Sequence, residues 1–408
     1  MNCRHKIYLL LVILCGITQN LVAQDYQIYQ YRAADGLRTD MIKSINQDTL
    51  GFVWIGTDNG LVRYNGSAFT PYINELGSNY IKDLLKTSQG KLLAIHDLGV
   101  VEIKNLIDTV VFKPVLKGAN LLTDTALWYP KSAYEDRYGN IWISEPQSIV
   151  RLQLDPLQWK RFKFGPEANS SSFVRSFNFL ELSGDSMLLS AFPGQFFLYD
   201  HKIKDITSLK FSEADHEIYT LEKVGSKYFA GTNRGLYQLQ FDYNSIQFGP
   251  AILDVLITDI APVNDSGFIA CSENTFNYLV TYQQDNYATQ PLERTKLNTN
   301  EAYISESGNI WLSTQKGVEL LKKPNFKPVE LDVPNMFVEA IISHPESSFL
   351  YMLGKEAIWR INKKSEQSER ILERKGGYFL SKKKKKKGLW VSNAFELMYI
   401  EQGEVKDQ

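Results

Sequence analysis

Side chains capable of chemistry are plentiful in this chain but poorly grouped. Beyond residue 24 the histidines are His96, His201, His216 and His344, each isolated, with no His-Glu-x-x-His and no Cys/His spacing of a zinc site. No Gly-x-x-x-x-Gly-Lys-Ser/Thr loop cradles a phosphate, and no Asp-x-Asp-x-Asp-Gly loop takes calcium. Among the carboxylates, Asp48, Asp136 and Asp265 each precede a glycine by three residues or fewer, which reads as turn capping, while Asp259 stands alone. The expectations are therefore no catalytic residue, no metal ligand and no cofactor.

The elements that position these residues follow from an internal repeat. An apolar strand runs into a polar turn closed by Gly, then a strand of the form Ile-Trp-Ile-Gly/Ser-Thr, then a second Gly turn and a third strand. The clearest copy spans Ile45 to Tyr64, with Asp48 and Gly51 closing one hairpin and Asn59-Gly60 the next. Further copies are anchored on Leu93, Trp142, Leu188, Phe229, Ile269, Trp311, Tyr351 and Trp390. Trp54 to Trp390 covers 336 residues in eight intervals, 42 on average. All-strand units of that length match four-stranded propeller blades, and the 3.6-residue period of a helical solenoid is missing. The fold class expected is an all-β propeller of about nine four-stranded units. The recurring Trp and Ile are read as filler between blades.

Composition fits a folded, exported chain. Of 408 residues, 44% are apolar, and 45 Lys plus Arg balance 46 Asp plus Glu, which gives no pull toward nucleic acid. Residues 1–24 read as a signal peptide: Arg4, His5 and Lys6 precede an apolar run from Ile7 to Ile17, and Val22-Ala23-Gln24 supplies small-residue cleavage chemistry. Cys3 and Cys15 leave with it, so Cys271 has no disulfide partner. No later stretch has the roughly 20 apolar residues of a membrane span, and the location expected is periplasmic.

The run from Asp35-Gly36-Leu37 through Asp48, Gly51, Phe52-Val53-Trp54-Ile55-Gly56-Thr57 and Gly60 to Tyr64, Gly66 and Phe69 resembles the two-component regulator propeller family. That family supplies periplasmic sensors of hybrid histidine kinases in Bacteroidetes. The resemblance implies seven-bladed propellers, usually two in series, followed by a three-Tyr domain, a membrane helix and a kinase or DNA-binding output. For nine units without those parts the resemblance implies one seven-bladed propeller over 25–330 and the first blades of a second, incomplete one over 331–408, which reads as a shortened product. Lys382 to Lys387 read as a solvated turn.

The function expected is ligand sensing outside the cytoplasm, with a small molecule or oligosaccharide as ligand and a homodimer through the sensor region. The alternatives are a propeller enzyme acting on polysaccharide, a lyase or glycosidase, and a protein-binding scaffold. Turns between second and third strands and the links between blades open on one face of a propeller and carry function there. Those turns hold Asp58, Asn59, His96, Asp97, Glu145, Gln147, Asn233, Arg234, Glu273, Asn274, Gln315 and Lys316. Trp128 and Tyr129, in a long inter-blade link, offer a sugar-stacking platform.

Overall fold

A computed structural model of the chain describes residues 26–73, 75–164, 177–191, 194–211, 213, 215–241, 244–292 and 298–323, then 338–343, 348–354, 357–365, 367–373, 379–382, 389–392, 397–401 and 404–407. The expected export signal (1–24), His344 and Lys383 to Lys387 lie outside the described residues. The chain divides into two units, Met1–Pro324 and Asn325–Gln408, so the division falls before residue 330. Its only described helical element is the three-residue turn Ala33–Asp35.

In the first unit the described strands form four sheets of four strands, one of five and one of eight, the last being two antiparallel four-stranded groups joined by the short parallel pairing of Lys210 and Phe211 with Ser245 and Ile246; each four-stranded antiparallel group is numbered as a blade. Blade 1 is Ile42–Gln47, Val53–Thr57, Gly60–Tyr64 and Phe69–Tyr72, and five more follow with their innermost strands at Ile81–Lys86, Ala133–Glu135, Phe177–Glu181, Ile218–Val224 and Ile257–Asn264. Blade 7 is built from both ends of the unit. Thr299–Ile304, Ile310–Thr314 and Gly317–Lys322 supply its inner three strands, and Gln27–Tyr31 pairs with the third of these, Tyr31 against Val318 through Gln27 against Lys322. The borrowed strand covers an edge that would otherwise stay open. Gly317 sits at this seam with φ +102°, and a Cβ there would collide with the Tyr31 carbonyl.

In the first unit each repeat anchor occupies the second strand of its blade and packs onto the next blade. Trp54 joins Leu84 and Ala94 across blades 1 and 2; Trp142 joins Phe179 and Leu189 across blades 3 and 4; Phe229 joins Phe268 across blades 5 and 6. Trp311 closes the circle against Ile45 and Ile55. Trp54 and Trp142 are fully buried. At roughly 25 cal/mol per Å2 of apolar surface removed from water, these interfaces are the chief source of cohesion.

The capping aspartates do more than close turns. Asp48 Oδ1 accepts the amides of Leu50 and Phe52, both at 3.0 Å, and Oδ2 accepts the Trp54 indole N–H at 2.8 Å and the Asn105 amide N–H at 2.7 Å. Asp136 repeats the pattern on Tyr138, Asn140 and the Trp142 indole. A buried indole needs an acceptor, and the aspartate six residues earlier supplies it. Asp265 does not share this role: Asn264 Oδ1 takes the Ser266 amide at 2.9 Å, and Asp265 is exposed.

The described residues of the second unit form two four-stranded sheets, running from Val338–Ser343 to Ser368–Glu373 and from Phe379–Lys382 to Glu404–Asp407. Tyr351, Leu353, Ile358 and Met398 form the core they share.

Replacing Asp48 by Ala strands the Trp54 indole and two amides, and should lower the unfolding free energy by about 2–4 kcal/mol. Asp265→Ala should stay within about 0.5 kcal/mol. Urea denaturation distinguishes the two, and equal losses would refute the assignment.

Candidate functional site

Three of the turns between second and third strands share one construction. Thr57, Thr232 and Thr314 each donate a hydroxyl hydrogen bond to the carbonyl of a glycine three residues on, at 2.8, 3.0 and 2.8 Å, and accept the amide of the residue between, 3.0 Å in each case. This staple holds the turns against the inter-blade links: the Asp58 amide reaches the Met41 carbonyl, Asn233 that of Glu217 and Gln315 that of Asn298. The candidate residues of these turns therefore share one face of the ring. Asn59, Arg234 and Lys316 are exposed there, Asp58 and Asn233 partly so.

Two sequence candidates turn out to occupy the staple position. His96 stands where Thr57 does in blade 1, and its Nδ1 accepts the Leu98 amide at 3.3 Å; it is buried, and burial pushes its imidazole down to about 4 against an upward pull from Asp97. The ring is neutral, with Nε2 buried and unpaired. Glu145 is fully buried, and Arg161 grips it with two bonds, Nε to Oε2 at 2.7 Å and Nη2 to Oε1 at 2.8 Å. It also accepts the Ser148 hydroxyl and the Trp128 amide. With both oxygens occupied, Glu145 is a strut and not an open ligand group. Its consequence for the face is positional: Arg161 also holds the carbonyls of Thr123 and Ala126, so the link carrying Trp128 and Tyr129 is fixed and both rings stay partly exposed.

A second group of residues lines the inner ring and escaped the sequence reading. One position in or just before each innermost strand, two places past the start of the ladder in five blades and immediately ahead of Ala133–Glu135 in blade 3, is polar throughout: Ser44, Asp83, Ser132, Asn178, Thr220, Asp259 and Glu301. Four of them accept the backbone amide of the following blade. Ser44 Oγ takes Leu84 at 3.2 Å, Asp83 takes Ala133 at 2.8 Å, Asp259 takes Ala302 at 2.9 Å, and Glu301 takes Ile45. Asn178 instead donates to the Ile218 carbonyl at 3.2 Å, and Asn300, one place earlier in blade 7, donates to the Ile42 carbonyl at 2.7 Å. The ring is thus stitched shut near its axis.

The stitch brings carboxylates near one another in partly buried positions. Burial raises Asp83; it raises Asp259 to about 6 and Glu222 to about 7, and lifts Glu301 well above the ordinary carboxylate range. Mutual repulsion adds to this, Asp83 acting on Asp259 and Glu301 across the ring. Among the described residues no group of three His, Cys, Asp or Glu is arranged to hold a metal ion, and no helix is long and apolar enough to cross a membrane.

No family model matches the chain, and no curated protein matches it. Solved structures do. The extracellular domain of the putative hybrid two component system BT3049 from B. thetaiotaomicron superposes with a TM-score of 0.60 at 15% identity, over 92% of this chain and 53% of that one. The extracellular domain of the putative one component system BT4673 from the same organism gives 0.56 at 13% identity, over 92% and 52%. Virginiamycin B lyase from Staphylococcus aureus gives 0.56 at 13% identity, over 73% of this chain and 99% of the lyase. The fold is a β-propeller, and the chain spans about half the length of the two extracellular domains.

Two outcomes follow. Glu145→Gln leaves the buried Arg161 cation without its carboxylate and should cost about 3–5 kcal/mol in chemical denaturation; a loss under 1 kcal/mol would show the pair to be dispensable. Carboxylates raised in this way bind protons more tightly folded than unfolded, so the stability they contribute is complete below about pH 4 and is lost as pH rises, through about 6 for Asp259 and about 7 for Glu222. Glu301→Gln removes one such group, so the variant should gain stability relative to the parent chain between pH 5 and pH 8, and a constant difference would contradict this account.

Proposed function

We propose that the chain is the ligand-sensing portion of an extracytoplasmic receptor of the two-component type, exported to the periplasm. It binds a small molecule or oligosaccharide on the turn face of the first unit. One observation carries the reading: the likeness to the two sensor extracellular domains covers 92% of 408 residues, more than the 324 of the first unit, and so reaches into the second. The lyase covers 73%, less than the first unit alone. The described turn face supports binding over catalysis, because its buried acid and imidazole, Glu145 and His96, are spent on holding turns.

Thermal denaturation with a panel of oligosaccharides tests the reading. A ligand at about 100 times its Kd should add about 2.7 kcal/mol of stability, and Trp128→Ala should reduce its binding energy by about 1 kcal/mol through lost stacking. A flat response across the panel would favour a protein-binding scaffold. Carboxylate-dependent cleavage of any polysaccharide would replace the sensor with an enzyme.

A further inference from the structure

The position just before the polar ring carries lysine in three consecutive blades: Lys43 and Lys82 within their innermost strands, and Lys131 two residues ahead of Ala133–Glu135. In blades 1 and 2 this is the residue skipped where the register shifts, between Ile42 and Ser44 and between Ile81 and Asp83. In blade 3, Lys131 and Ser132 both face Ser144, through bonds of 2.8 and 2.9 Å. Such bulges free their extra residue from the ladder and re-aim its side chain. Blades 5, 6 and 7 place the neutral Tyr219, Thr258 and Asn300 there.

The three amines are gathered and under-neutralised. Lys43 Nζ and Lys82 Nζ lie 5.6 and 3.7 Å from the centroid of one ring, that of Tyr80. Lys82 pairs with Asp97 at 3.3 Å, and Lys131 is near enough to both for each to act on it. Burial and then Lys82 hold the Lys131 amine below its usual value. Among the described residues, the amines of Lys43 and Lys131 have no hydrogen bond and no ion pair. Three cations facing one carboxylate repel one another, and the neutral residues of blades 5 to 7 show that the fold does not require them.

We infer that Lys43, Lys82 and Lys131 form a subsite for the acidic group, carboxylate or sulfate, of an oligosaccharide whose sugar ring rests against Trp128. Trp128 lies three residues before Lys131 on the link that Arg161 and Glu145 fix in place. The inference rests on the sensing reading above and adds a charge class to it.

Isothermal titration of the full chain with two matched pairs tests it. Trigalacturonate and its methyl ester probe the carboxylate, and a κ-carrageenan tetrasaccharide and the neutral agarose tetrasaccharide probe the sulfate. At least one acidic member should bind, with its neutral counterpart weaker by about 10-fold or more and with affinity that falls as salt rises. Lys43→Gln with Lys82→Gln, and Lys131→Gln alone, should each weaken it by about 10-fold or more, while melting no lower than the parent. Lys113→Gln, on the exposed outer strand of blade 2, should leave it unchanged. Failure of both acidic sugars at millimolar concentration, or equal binding by the lysine variants, overturns the subsite. Neutral-sugar binding indifferent to the lysines overturns it while the sensing reading stands, and silence from every oligosaccharide overturns the subsite together with the oligosaccharide form of the sensing reading.

Discussion

An innermost propeller strand has one edge with no β partner, and the structure depends on how that edge is met. Here the answer is a side-chain oxygen from each of several blades, set at one repeated position, accepting the first free amide of the next blade. Such bonds work at short range and in the right geometry only if the blades are already in place, so they fix the angular spacing that the apolar interfaces leave adjustable. The hydrophobic anchors supply cohesion, whereas the polar ring supplies registration.

Registration has an electrostatic cost. An acceptor strong enough to hold a buried amide is often a carboxylate, and carboxylates converging on one axis raise one another's proton affinity. Asp83, Asp259 and Glu301 meet that difficulty at the centre of the ring. One residue before that ring, blades 1 to 3 carry the amines of Lys43, Lys82 and Lys131, so in blade 2 a cation and an acid, Lys82 and Asp83, stand side by side in sequence. The two layers are adjacent in sequence because a bulge sends neighbouring side chains different ways.

The anchors were legible in the sequence because Trp54, Trp142 and Trp311 are rare, large residues recurring with turn signals on either side. The polar ring was not, since Ser, Asp, Asn, Thr and Glu share a place without sharing a type, and a lone polar residue in a strand resembles ordinary alternation. His96 and Glu145 look like open loop residues in the sequence because the staple that defines their position is a hydroxyl elsewhere, and a chain of letters does not reveal that an imidazole or a carboxylate has taken over its work. Asp265 misled by proximity to a glycine. The lysines of blades 1 to 3 lacked any signal until the register shifts aligned them.

The strand Gln27–Tyr31 is far from its partner Gly317–Lys322 along the chain. Contacts between such distant segments are slow to form because a long loop must close first. The earliest part of the ring to be made must therefore wait, unpaired, until nearly the whole circle has been assembled behind it. During that interval both Tyr31 and Val318 are available to the wrong neighbours, which makes the seam the place where a second copy of the chain would most readily exchange strands.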